Sequence, residues 1–177
     1  MSYTYFAATL PALQFDGEPA MTESEFQDRC RDHLSASDFA ALCSLVSGGE
    51  SSNTFVRKWH EHDTQLRNAV ARMRAARIGE GIDASKWLQN HAGFEVSTET
   101  AVTAAFQEPN PMRREMAIER IRWNIAGELA GFDSFSAEAI FAYAIRLGIL
   151  CRRAAADVDK GTERLRGMMK AKAAAEA

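Results

Sequence analysis

Residues 55–78 read FVRKWHEHDTQLRNAVARMRAARI, and the spacing of their mostly apolar side chains decides the fold class. The recurring positions alternate steps of four and three residues: Phe55, Trp59, His62, Leu66, Ala69, Met73 and Ala76. Side chains at that spacing share one face of an α-helix, so the pattern predicts a long helix packed along a partner helix. Gly79 and Gly81 follow, and we expect the helix to end near Ile78.

The same stretch contains a candidate metal site, because His60, Glu61, His62 and Asp63 are consecutive. Side chains two residues apart on a helix point about 200 degrees away from each other, so the two histidines cannot bind one ion while the helix is intact. We interpret His62 as a hydrogen-bonded histidine of the packed face. His60 and Glu61 are expected on the solvent side, and Asp63 is expected to form an i, i+4 ion pair with Arg67.

Two shorter helices are predicted before this stretch. Residues 21–34 begin with Thr22 and Glu25 at the spacing of a capping box, and an apolar stripe follows. The stripe consists of Phe26, Cys30 and Leu34. Ser35 then caps a second helix, which Gly48-Gly49 ends and the flexible GGESSN connects to the long helix. We expect its buried face to consist of Phe39, Leu42, Cys43 and Val46.

Further helices are predicted after the long one. Asp83 is a cap for a short helix through Leu88, and Ser97 or Thr98 is a cap for another through Phe106. Asn110 and Pro111 suit the N-cap and first position of a helix that stops near Gly131. Its stripe is Ile118, Ile121, Ile125 and Leu129.

The last strongly apolar segment is AEAIFAYAIRLGILCRR, which begins after Ser134 or Ser136 and is expected to be the most buried helix. Its recurring positions are Ile140, Phe141, Ala144, Leu147, Leu150 and Cys151. From Asp157 a less apolar helix is predicted, followed by a frayed tail at 171–177.

These patterns predict an all-α protein, a single-domain antiparallel helical bundle of about six to eight helices spanning residues 1–170. Within it we distinguish an acidic helical corner at 1–50, the long helix at 51–78 and a helical remainder at 83–170. The one stretch that also fits a strand pattern is Ser2 to Leu10.

Composition agrees with a globular chain: 46% of the 177 residues are hydrophobic, 25% are charged and the net charge is −3. No stretch approaches the roughly 20 apolar residues that cross a bilayer, and no overall positive charge attracts nucleic acid. Residues 1–53 carry eight acids against two arginines, which fits either steering of a partner or a solvated surface. Cys30, Cys43 and Cys151 lie far apart among apolar residues, which favours free thiols in a reduced, intracellular setting.

No catalytic, cofactor-binding or metal-binding residue is predicted, and we expect no enzymatic activity. Cys43 lies on an apolar stripe without a catalytic companion, and His33 and His91 are isolated in other segments. No phosphate-binding glycine motif occurs, so neither a nucleotide nor another cofactor is expected.

Several arginines form either a nucleic-acid patch or ordinary solvated helix faces, and interspersed acids favour the second interpretation. They are Arg67, Arg72, Arg74, Arg77, Arg113, Arg114, Arg120 and Arg122. Four aromatic side chains are predicted to belong to the core: Trp59, Trp123, Phe141 and Tyr143.

The order of the segments YFAATLPAL, LSASDF, LRNAVARMRAAR, NPMRREMAIERIRW and FSAEAIFAYAIRLGILCRR resembles a bacterial family of uncharacterised proteins. Members of that family are typically encoded among the subunits of V-type ATPases. The last segment is also similar to a repeat of the all-helical C (or d) subunit, which caps the membrane rotor ring of such ATPases.

This resemblance implies a non-catalytic accessory subunit or assembly factor of a V-type ATPase. Its implied partners are subunits of the stalk or the membrane rotor ring, and its implied location is cytoplasmic, peripheral to the inner membrane through the complex. Direct nucleotide binding, membrane insertion and nucleic-acid binding are not expected. The alternative is a stand-alone helical module that binds another protein or RNA.

Overall fold

The computed structural model describes residues 3–79, 82–156 and 166, and its architecture is all-α, as predicted. These residues form seven α-helices and one 3-10 helix, without a strand. The α-helices are α1 (Thr4–Thr9), α2 (Glu23–His33), α3 (Ala36–Ser47), α4 (Thr54–Ile78), α5 (Val96–Ala105), α6 (Pro111–Ala130) and α7 (Ala137–Ala154), and the 3-10 helix is Ala84–Trp87.

Most helices begin at a side chain that accepts a hydrogen bond from a free backbone N–H of the first turn. At α2 the capping box is complete, since the Glu25 N–H donates to Thr22 Oγ1 at 3.2 Å and the Thr22 N–H donates to Glu25 at 2.8 Å. The predicted caps of α3 and α6 are confirmed. Asp83 caps the 3-10 helix and Ser136 caps α7.

Helix α7 lies at the centre of the bundle, where it packs against α2, α3 and α6. It is antiparallel to α6, because Arg153 near its end bonds Glu119 at 2.8 Å, while Arg146 bonds the carbonyl of Trp123 at 3.3 Å. Half of its residues are buried, which confirms the expectation for this segment. The largest fully buried side chains around it include Phe26, Leu42, Leu66, Ile118, Ile140, Phe141 and Leu147.

A smaller apolar cluster fixes the segment between α1 and α2 to the outside of α6 and α7. Phe15 packs edge-on against Trp123 at 5.5 Å, and the guanidinium groups of Arg120 and Arg153 lie 3.6 and 4.4 Å from its ring centre. Arg153 also donates to the Phe15 carbonyl at 2.6 Å. Phe15 is therefore held by dispersion, cation–π attraction and a charge-assisted hydrogen bond together.

The connection between α4 and α5 doubles back along α4 and is fastened by two buried amides. Asn68 accepts from the Gln89 N–H at 3.0 Å and donates to the Gln89 carbonyl at 2.7 Å. Gln65 makes the same pair of bonds with Glu95, at 3.0 and 2.8 Å. Each amide thus satisfies one donor and one acceptor of an irregular segment, and α5 can then run alongside α4 in the same direction.

The amino-terminal segment corrects one expectation, because residues 4–9 form a helix where a strand was considered. A lone strand has no partner for its backbone groups among the described residues, whereas a helical turn pairs its own. The segment is anchored by Tyr3, whose N–H donates to the Phe135 carbonyl at 2.6 Å and whose hydroxyl bonds Asp38. Phe6, in the same segment, is buried.

The start of α5 and the buried face of α3 also differ from expectation. Helix α5 begins at Val96 without a side-chain cap, and the predicted cap Thr98 is buried, because Gln65 already fixes the chain at Glu95. Helix α3 buries Ala41, Leu42 and Leu45, while Phe39 and Cys43 are half-buried and Val46 is exposed. Because α3 packs against both α4 and α7, the buried face of α3 is rotated toward Leu45.

The long helix runs from Thr54 to Ile78, and its predicted packed face is buried at Phe55, Trp59, Leu66 and Ala69 but only half-buried at His62. At its end Ala75 is buried and Ala76 is exposed. A strict alternation of four and three drifts around a straight helix by about 20 degrees per heptad, which accounts for the shift. The helix expected from Asp157 and the tail at 171–177 lie outside the described residues except for Arg166, and the subdivision at 50, 78 and 83 stays a prediction.

We predict that Asn68→Ala lowers the free energy of unfolding by about 1–3 kcal/mol, because the peptide groups of Gln89 lose their partner. Hydrogen exchange followed by mass spectrometry should show faster exchange in residues 82–95 and little change in α7. Asn124→Ala, which removes an exposed amide from the interior of α6, is the matched control. Equal exchange of the connection in both variants would show that Asn68 does not hold it.

Candidate functional site

A buried carboxylate joins α4 to α6. Asp63 is 7% exposed; its Oδ1 accepts from Arg122 Nε at 2.8 Å and its Oδ2 accepts from Arg67 Nε at 2.7 Å. Farther along the two helices, Arg74 and Glu115 approach to 3.8 Å. These pairs run in opposite directions along the chain, so α4 and α6 are antiparallel and Asp63 fixes their register.

Two opposing effects act on the pKa of Asp63. Burial alone would raise the pKa of the carboxyl group, but the charges and hydrogen bonds of Arg122 and Arg67 outweigh burial and hold the pKa below its ordinary value of 3.8. Both carboxylate oxygens are also occupied by the two guanidinium groups. Asp63 is therefore a poor general base near neutral pH and serves as the anion of a three-membered ion pair.

Arg67 and Arg122 separate two depressions on this face of the molecule. On one side lies a cavity of about 380 Å³, which is polar at its rim because Glu23 and Arg152 also line it. On the other side lies a larger depression of about 540 Å³ with mostly apolar walls. We call it the apolar groove, and its apolar lining consists of Val70, Ala71, Ala75, Ile78, Ile82, Trp87 and Ile118.

Large apolar side chains of the apolar groove are exposed to solvent, although the packing of the helices does not require their exposure. Ile78 is 72% exposed, Trp87 60% and Ile82 42%. Arg67 and Arg74 border the groove with more than half of each side chain in solvent, and Glu115 is the exposed acid of the same rim. An exposed apolar floor with a polar rim is typical of surfaces that bind another protein, a membrane or a ligand.

The histidines of the sequence are placed as follows. Helix α4 continues unbroken through His60 and His62, so their side chains diverge. His60 and Glu61 are half-buried and not on the solvent side as expected, because α3, α5 and α6 cover most of the surface of α4. His62 is half-buried and lines a cavity with Thr98 and Ile125, His33 stacks on Phe6, and His91 is half-buried.

No group of three histidine, cysteine or acidic side chains is arranged to hold a metal ion in the part of the chain that the structure describes. Within the same part, no helix is both long enough and apolar enough to span a membrane.

The three cysteines are free thiols in different environments. Cys30 is fully buried, and burial, with a smaller effect of nearby Cys43, raises the pKa of its thiol to about 12. Cys43 was expected in the core but is half-buried, because the face of α3 is turned toward Leu45. Burial also raises the pKa of the Cys151 thiol, so neither Cys30 nor Cys151 is an activated nucleophile.

The arginines considered as a nucleic-acid patch are largely engaged within the protein. Arg72 pairs with Glu99 at 2.6 Å, and Arg120 pairs with Asp16 at 3.0 Å. The guanidinium groups of Arg77 and Arg114 lie 5.2 and 5.4 Å from the ring centre of Phe106. These pairings favour helix faces with internal ion pairs over a continuous basic patch.

The predicted core aromatics Trp59, Trp123 and Phe141 are buried, whereas Tyr143 is only half-buried and stacks on Phe26 at 5.1 Å. Two features of the site did not follow from the sequence. The partnership of Asp63 with Arg122 joins residues 59 positions apart, and the exposure of Trp87 depends on the path of the returning connection. The sequence pattern of an amphipathic helix does not distinguish a buried acid from an exposed acid at a polar position.

Comparison with known proteins gives one match. Residues 93–173, slightly less than half of the chain, match a family model described as a protein of unknown function, DUF2764. This portion includes α5, α6 and α7. No curated protein and no solved structure matches the chain. The description of the matching family names no activity, so a link to V-type ATPases stays a prediction.

We predict that Asp63→Asn lowers the free energy of unfolding at pH 7 by about 3 kcal/mol, because Arg122 loses its counter-ion while largely buried. Since the folded-state pKa of Asp63 is lowered, its stabilisation is present above the ordinary carboxyl pKa and disappears as pH falls through the folded value. The difference between wild type and variant should thus be constant above about pH 5 and shrink below about pH 4.

Urea unfolding across that pH range measures the effect. Asp16→Asn is the control, because its pair with Arg120 is exposed to solvent and should contribute less than about 1 kcal/mol. An Asp63→Asn variant as stable as wild type at pH 7 would contradict the assigned role.

Proposed function

We propose that this protein is a non-catalytic accessory subunit or assembly factor of a V-type ATPase, and that it binds a helix of a stalk or rotor-ring subunit in the apolar groove. The observation that carries the mode of binding is the exposure of Ile78, Ile82 and Trp87 around one depression. The choice of partner is supported by the resemblance of the sequence to proteins encoded with V-type ATPase subunits.

The dimensions of the apolar groove suit the apolar face of a helix. Its volume of about 540 Å³ lies within the usual range of a site that accepts a few side chains. A bound helix would place residues at i, i+3 or i+4 and i+7 into such a groove. Trp87 and Ile78 are the side chains best placed to lose solvent on binding, and aromatic residues dominate the energetics of many interfaces.

The rim of the groove gives the partner a preferred charge. Arg67 and Arg122 are held by Asp63, and Arg74 extends beside them with 64% of its side chain exposed. Glu115 is the acid on that rim. A partner helix with acidic residues beside its apolar face would therefore be attracted and correctly oriented. In this proposal the protein acts on the cytoplasmic side of the membrane and reaches it through the ATPase complex.

The proposal is tested by isolating the tagged protein from native membranes in mild detergent and quantifying V-type ATPase subunits by mass spectrometry. We expect these subunits to be enriched with wild type and depleted at least about tenfold with Ile78→Ser combined with Trp87→Ser. Met112→Ser, which alters an exposed side chain at the start of α6, should retain them.

Absence of ATPase subunits above the level of an untagged control would overturn the assignment to a V-type ATPase. If the groove variant retained the subunits, the assignment to a V-type ATPase would stand, but the apolar groove would not be the binding site. Salt-sensitive retention of RNA in place of protein would favour the alternative of a stand-alone binding module.

A further inference from the structure

The connection between α6 and α7, residues 131–136, presents two phenylalanines to solvent. Phe132 is fully exposed, and Phe135 is 40% exposed. Phe132 thus buries no apolar surface within the described protein. Its exposure costs solubility without contributing to the stability of the fold.

Tyr5 is 78% exposed, and its helix is joined to this turn by a backbone hydrogen bond. It is in the first turn of α1, two residues after Tyr3, whose N–H donates to the carbonyl of Phe135 at 2.6 Å. The hydroxyl of Tyr3 accepts from the Ser35 N–H at 3.1 Å and thereby ties α1 to the start of α3. We call Tyr5, Phe132 and Phe135 the aromatic end.

The turn that carries the two phenylalanines is ordered by its own hydrogen bonds. Asp133 accepts from the Phe135 N–H at 2.9 Å through its side chain and from the Ser136 N–H at 3.3 Å through its carbonyl. Gly131, with φ of 71°, turns the chain out of α6 in a conformation that favours glycine. A side chain presented on such a turn loses less conformational entropy on binding than one on a free loop.

The exposed charged side chains next to the turn in the sequence are acidic, and the cation Arg146 lies on the wall of an adjoining cavity. Glu128 and Glu138 are exposed on either side of the turn, and Asp133 lies within it. No lysine or arginine occurs between Trp123 and Arg146 or before Arg29. An acidic surface repels anionic lipid and nucleic acid and attracts a basic surface.

We propose that the aromatic end is a second docking surface, and that its partner is a protein surface with an apolar pocket bordered by lysine or arginine. The phenylalanines fill the pocket, and the three acids face the basic border. A cavity of about 410 Å³ beside the turn has an apolar wall that includes Leu10 and Ile140, with Tyr143 and Arg146 at its other side, and the apolar wall accepts an aliphatic side chain in return. This surface uses none of the apolar groove and does not depend on the ATPase assignment.

The test uses two synthetic amphipathic helices with the same leucine face, one flanked by lysine and the other by glutamate. Each is titrated into the ¹⁵N-labelled full chain and followed by amide chemical shifts. We expect the lysine peptide to shift amides at 4–9 and 128–138 and to bind at least about tenfold more tightly than the glutamate peptide. Higher salt should weaken this binding.

Phe132→Ser with Phe135→Ser should weaken binding of the lysine peptide at least about tenfold, while Met112→Ser leaves it unchanged. Glu128→Lys with Glu138→Lys should reverse the preference between the peptides. Phe132, Glu128, Glu138 and Met112 are well exposed, so replacing them should leave the thermal unfolding midpoint close to that of wild type. The midpoint is the folding control for every variant, including Phe135→Ser, which removes a partly buried ring.

Four results would overturn the proposal: absence of binding, equal affinity for both peptides, shifts confined to other surfaces, or unchanged binding by the double phenylalanine variant. Flotation with phosphatidylserine vesicles that depends on Phe132 would point to a membrane surface, and a dimer that depends on Phe132 in sedimentation velocity would point to a second copy. Either outcome would replace the proposed partner.

Discussion

The ion pair of Asp63 with Arg122 is the interaction on which the arrangement of this bundle depends. It crosses from α4 to α6 in a site where Asp63 is almost fully buried and Arg122 retains 20% exposure. A buried charge without its partner is strongly destabilising, so packings of α4 against α6 that separate the two side chains are excluded. Because α6 in turn packs along α7, the register set at Asp63 extends to the central helix.

Helix α4 also fixes the position of the connection that leads to α5. Gln65 and Asn68 bind the backbone of Glu95 and Gln89, so the connection returns along α4 and does not extend into solvent. That return path places the 3-10 helix with Trp87 beside Ile78 and creates the apolar groove. The groove is therefore a product of three buried polar residues within six positions of α4, and one of them, Asp63, holds Arg67 and Arg122 at its rim.

Local signals in the sequence were sufficient for α2, α3, α4, α6 and α7, but not for α1, for the start of α5 or for the contacts between helices. Thr22 with Glu25, Asn110 with Pro111, and the glycines after Ile78 mark helix ends because caps and terminators act within a few residues. The partner of Asp63, the buried face of α3 and the start of α5 depend on helices distant in sequence, and one-dimensional spacing does not encode them. Helix geometry separates His60 from His62 within a continuous α4, whereas the exposure of Trp87 depends on the path by which the chain returns along α4.

The functional proposals rest on what this framework leaves exposed: an apolar groove with a cationic rim and, separately, an aromatic end with an acidic border. The apolar groove depends on α4 and α6 being fixed relative to each other, and a double-mutant cycle with Asp63→Ala and Arg122→Ala tests this most directly. We expect a coupling free energy of about 1–3 kcal/mol at pH 7 from urea unfolding of the four proteins. Coupling indistinguishable from zero would show that the pair does not join the helices, and would contradict the structural basis of the groove.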